Sequence, residues 1–129
     1  MTLGIDIDGV LTDAPEIFKE LMIALKKNGD KVYIISGVGV DNDEKKSRKF
    51  KLGQLKQLGI DEKCYDSLHV AVMPIPQSKR ELCKKLGVEF MIDNDLSFVS
   101  KIIDVTPCGL FLPKIPGTFK SAYKKIYKK

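Results

Sequence analysis

Apolar runs and amphipathic stretches of helical period alternate along the chain. Leu3, Ile5 and Ile7 alternate as in a strand, and Ala14 to Asn28 carries Ile17, Leu21 and Leu25 at helical spacing, with Gly29 as its stop. Val32 to Ile35 (VYII) predicts the next strand. Asp43 to Leu58 reads as a helix with Leu52 and Leu55 inside and Gly59 ending it. Leu68 to Met73 predicts a third strand. Ser78 to Leu86 predicts a helix closed by Gly87 and opened by a capping box of Ser78 with Glu81. Val88 to Ile92, Leu96 to Val105 and Cys108 to Leu112 predict strand, helix and strand, before a terminal helix from about Thr118.

Strand and helix in strict alternation is the order of right-handed βαβ units. It predicts an α/β fold, a doubly wound and mostly parallel five-stranded sheet, in a single domain over residues 1–129. In such sheets ligands sit beyond the carboxyl ends of the strands. No internal repeat or low-complexity linker interrupts the order, only Pro-rich turns at 73–76 and 113–117.

Composition narrows the classes. At 43% hydrophobic and 30% charged residues the chain is neither disordered nor membrane-spanning, and no apolar run approaches ~18 residues. The first strand starts at about Thr2, leaving no room for a leader peptide, and a cytoplasmic protein is expected. Three widely spaced cysteines, Cys64, Cys83 and Cys108, fit reduced thiols rather than a disulfide frame or a zinc site. The net charge of +5 gathers in Lys45 to Lys51 and in the tail, where Tyr123 and Tyr127 are interleaved. These runs read either as solvated helix faces or as surfaces steering phosphates or nucleic acid.

The chemistry-bearing residues fall at strand ends. Asp6 and Asp8 stand at i and i+2 in an apolar run, where a strand would put both carboxylates on one face at roughly 6 to 7 Å. Ser36 follows VYII, trailed by Gly37 and Gly39, whose bare backbone could let amides approach an anion. Lys79 opens the helix after the third strand, at the wrong pole of the helix dipole unless an anion is near. Asp93 follows VEFMI, with Asn94 and Asp95 after it. Each has a plain reading alone: a helix cap for Asp93 or Asp95, a turn for Ser36. Gathered on one rim they point to phosphoryl chemistry, with acids for Mg²⁺ and hydroxyl, amide and ammonium donors for phosphate oxygens.

The same residues resemble the motifs of the haloacid dehalogenase-like phosphohydrolases. Asp6-Ile7-Asp8-Gly9-Val10-Leu11-Thr12 is similar to their first motif, Ile34-Ile35-Ser36-Gly37 to the second, Lys79 to the third and Ile92-Asp93 to the fourth. The resemblance implies a phosphatase acting on phosphomonoesters. In it Asp6 would be the nucleophile, forming an aspartyl-phosphate, and Asp8 the acid and base. Ser36, Gly37 and Lys79 would bind the phosphate, and Mg²⁺ would be held by Asp6, Asp93 and the main chain of Asp8. Asn94 and Ser97 depart from the pattern, which often has a second acid at one of these places. The gaps between motifs leave no room for a cap domain. That implies an open site suited to a nucleotide, a nucleic-acid end or a protein, or one closed by another subunit of a homo-oligomer. Two other readings are a keto-sugar-acid phosphatase and a catalytically weak copy of the fold that binds nucleic acid or protein.

Two rivals fail on spacing. A response-regulator receiver needs an acid after the third strand, where Met73-Pro74 stands, and an EF-hand needs further ligands and a preceding helix. His69, the sole histidine, lies within a predicted strand and reads as packed.

Overall fold

A computed structural model of the chain describes residues 1–112. Five strands, β1 (Thr2–Ile5), β2 (Lys31–Gly37), β3 (Ser67–Ala71), β4 (Phe90–Asp93) and β5 (Cys108–Leu110), form one sheet in the order β3-β2-β1-β4-β5. Every pairing is parallel. Four helices connect them: α1 (Pro15–Lys27), α2 (Glu44–Gln57), α3 (Ile75–Leu86) and α4 (Leu96–Ile102). The expected doubly wound α/β sheet is therefore present, and no cap is inserted among the described residues. The predicted basic terminal helix, with Tyr123 and Tyr127, lies outside them.

The core has two halves because the central strands are buried on both faces. On one side Leu3 and Ile5 of β1 and Val32 and Ile34 of β2 pack with Phe18 and Met22 of α1 and Leu55 of α2. On the other, Ile35 and Met91 pack with Cys83 of α3 and Ile102 of α4. Gly4 faces this second half, where a Cβ would lie 2.7 Å from the Met91 sulfur. Its bare backbone is what lets Met91 cross the sheet there.

Several details of the expected elements change. The buried residues of α1 are Phe18 and Met22, while Ile17 is 70% exposed and Leu21 38%. Phe18 prevails because its ring meets Phe111 edge-on at 5.0 Å, a partner nearly a chain length away. In α2 the buried line is Ser47, Lys51 and Leu55, four residues apart, and Leu52 is turned outward. Helix α3 begins at Ile75, three residues before the expected capping box. Pro76 is tolerated in its first turn, where an amide would have no helical partner. Ser78 is thus inside the helix, its hydroxyl accepting from the Val72 amide at 3.1 Å. His69 packs edge-on against Tyr33 and pairs with the Ser67 hydroxyl at 2.8 Å, and burial lowers its pKa.

Candidate functional site

The strand order reverses at β1, whose neighbours are β2 and β4, and a crevice opens beyond the carboxyl ends at such a point. A cavity of about 580 Å³ lies there, lined by Asp6, Asp8, Ser36, Gly37, Lys51 and Lys79 among others. Asp93, fully buried, stands behind Lys79. The residues singled out at the strand ends are therefore brought to one rim.

Asp6 and Asp8 do not share a strand face, because β1 ends at Ile5. The chain turns through Ile7–Leu11, with Asp8 extended (φ −69°, ψ 125°) and Gly9 at φ 80°. Gly9 is required twice over: its φ is left-handed, and a Cβ would lie 2.0 Å from the Asn94 amide nitrogen. Asp6 is buried and accepts from the Ile7 amide at 2.8 Å. Asp8 swings outward, 64% exposed, accepting from Gln54 Nε2 at 3.0 Å and lying 3.7 Å from Lys51 Nζ.

Lys79 lies in the second turn of α3, not at its start, so the helix dipole is not what calls for an anion. Its ammonium is completely buried, 2.7 Å from Asp93 Oδ2 and 3.3 Å from Asp6 Oδ2, and 4.5 Å from the centre of the Phe98 ring. Asp93 also accepts from the Asp95 amide at 3.1 Å, and Asp95 caps α4 through the Ser97 amide. Burial pushes the Asp6 carboxyl up to about 6, against the pull of Lys79 and with the repulsion of Asp93. Desolvation wins because the one cation is shared between two acids.

Ser36 is the penultimate residue of β2 and accepts a hydrogen bond from Lys51 Nζ at 2.8 Å. The expected cradle of loop amides is not free. Gly39 and Val40 both donate to Ser47 Oγ at 3.1 Å, and Val38 donates to the Ala71 carbonyl. Lys51 is the residue that sequence reasoning missed. It was counted in a basic surface run, yet it is 4% exposed and faces the cavity. Its signal was its place four residues before Leu55, on the one face of α2 expected to be inside.

The donor set can be tested against Mg²⁺. Among the described residues no group of three or more His, Cys, Asp or Glu side chains could hold a metal ion. Asp6 and Asp93 converge on Lys79 and keep lone pairs beyond those engaged with it. Two carboxylates suit a Mg²⁺ that keeps most of its waters and is shared with a phosphate, and do not suit an all-protein cage. The cysteines offer no chemistry here: burial pushes Cys83 up to about 12 and Cys108 up to about 11. No helix among the described residues is long and apolar enough to cross a membrane.

No protein-family model matches the sequence, and no curated protein matches it. Solved structures do match. An uncharacterized protein of Corynebacterium glutamicum is 17% identical, over 97% of this chain and 90% of its own, with a TM-score of 0.60. A universal stress protein of Archaeoglobus fulgidus in complex with dAMP is 13% identical over 84% of this chain and 94% of its own, with a TM-score of 0.57. A universal stress protein in complex with cAMP is 9% identical over 88% and 98%, with a TM-score of 0.53. At these identities the likeness is one of fold.

These matches correct the family that the motifs implied. The named ones are universal stress proteins, not haloacid dehalogenase-like phosphohydrolases. The magnesium-dependent phosphatase working through an aspartyl-phosphate falls with that family, as do the keto-sugar-acid phosphatase and the weak copy of that fold. The motifs misled for a physical reason. A doubly wound parallel sheet carries the ends of its central strands to one rim, so acids, a hydroxyl and a lysine placed there meet whatever chemistry they serve.

Proposed function

We propose that this chain binds a small phosphorylated molecule, its phosphate directed to Lys51 and Ser36, with Mg²⁺ entering alongside it. One observation carries the reading: a buried ammonium, Lys51, faces a cavity with only a neutral hydroxyl at 2.8 Å and an exposed carboxylate at 3.7 Å. A phosphate oxygen would complete its coordination with a charge-assisted hydrogen bond. The Ser36 hydroxyl, already accepting from Lys51, keeps its own hydrogen for the same anion.

The charge count supports the metal. Lys51 and Lys79 stand against Asp6, Asp8 and Asp93, which leaves the rim one negative charge when all five are ionised. A bare phosphate dianion would be repelled. Mg²⁺ held by Asp6 and Asp93 would neutralise phosphate charge, while Lys51 and Ser36 orient the group. The fold neighbours holding dAMP and cAMP are in keeping with a small phosphorylated ligand at such a sheet.

Calorimetric titration with ribose 5-phosphate tests this, with and without millimolar Mg²⁺. Binding that strengthens with Mg²⁺ is expected. Absence of binding under both conditions would overturn the reading. Steady release of inorganic phosphate would overturn it as a description of a binding protein.

A further inference from the structure

Beyond the phosphate pocket, the outer face of α2 carries a second groove of about 480 Å³, lined by Lys46, Lys49, Gly53 and Gln54 among others. The two cavities share Val40 and Phe50 as common walls. Phe50 is 57% exposed, the one aromatic ring among the exposed large hydrophobic residues described. An aromatic ring left in solvent at the edge of a charged pocket has no packing role to explain it.

Gly53 supplies a second observation. Glycine is unfavourable within a helix, and this one lies inside α2 with helical backbone. Nothing lies within 4 Å of where its Cβ would be, so no neighbour requires its absence. Standing three residues from Phe50, it leaves a flat opening beside the ring. Gln54 completes the floor: its amide donates to Asp8, and its buried Oε1 has no hydrogen-bond partner among the described residues. An amino-bearing heterocycle could give that acceptor a donor once the amide turns toward the groove.

Resting on the phosphate reading above, we propose that the ligand is a nucleoside monophosphate, its base stacked on Phe50 over Gly53. The phosphate lies at Lys51 and Ser36, the sugar passes Val40, and the base occupies the α2 groove. The stack uses the face that every nucleobase offers, and Lys46 and Lys49 border the groove without entering it as acids would. The Gln54 acceptor favours a base carrying an exocyclic amine.

Calorimetry with AMP, ribose 5-phosphate and inorganic phosphate, all with Mg²⁺, distinguishes the parts. AMP is expected to bind on the order of tenfold more tightly than ribose 5-phosphate. Phe50→Ala should erase that difference and leave ribose 5-phosphate unchanged, and Phe50→Trp should retain it. Gly53→Leu, which meets no neighbour, should fill the opening and bring AMP down to the ribose 5-phosphate level. Equal affinities for AMP and ribose 5-phosphate, or AMP binding indifferent to Phe50→Ala, overturn the base site while leaving the phosphate reading standing. AMP binding that depends on Phe50 but not on Lys51→Met upholds the stack and overturns the phosphate reading. No binding of any probe overturns both.

Discussion

The rim holds two buried lysines, and they are held in opposite ways. Lys79 lies between two buried carboxylates and against the Phe98 ring, its charge more than balanced. Lys51 is almost as deep, yet it meets a hydroxyl and one distant carboxylate that water reaches. Burial alone does not decide what an ammonium does. The groups facing it do: Lys79 joins strands and helix into a frame, and Lys51 is left to take a ligand.

The comparison breaks most visibly at Lys79. Lys79→Met leaves Asp6 and Asp93 buried together without a cation, and a loss of about 3 to 5 kcal/mol of stability is expected in urea unfolding. A loss below about 1 kcal/mol would show that the frame does not depend on the lysine. Asp6 sharpens the same half through pH. Its carboxyl is pushed up to about 6 in the folded chain, so the folded state holds a proton that the unfolded state has released. The stability from this proton is fully present below about pH 4 and disappears as pH rises through about 6. Relative to Asp6→Asn, the native chain should lose roughly 3 kcal/mol at most across that window, and a flat difference would refute the shift. The smallest effect on folding belongs to Lys51. Lys51→Met should weaken ribose 5-phosphate binding by about 1.5 to 3 kcal/mol while changing unfolding by under about 1 kcal/mol. The reverse pattern would make the two lysines alike.

The sheet was legible in the sequence because its strands are short apolar runs separated by helices with glycine stops. Gly29, Gly59 and Gly87 take the left-handed conformation that those stops require. Which face of a helix is buried was less legible. The stretch from Ile17 to Leu25 carries two apolar stripes, and only the remote Phe111 decides for Phe18 and Met22. The start of α3 was obscured because two prolines resembled a turn, although one of them sits where a helix admits proline. At the site, Asp6, Ser36, Lys79 and Asp93 could be found from their places at strand ends. Lys51 could not be told from its basic neighbours until α2 was oriented, and Gly39 was misjudged because its amide is engaged by Ser47, eight residues on. The family assignment failed because strand-end residues record a shared architecture before they record a reaction.

The ties of Lys79 bear on how this site comes into being. One side chain joins the end of the first strand to the end of the fourth, across partners distant in the chain. No fragment holding only the amino-terminal half can assemble the rim, however well its own strands pair. Ligand capture thus becomes a gauge of completed topology, switched on when the last central strand docks and silent in every earlier intermediate.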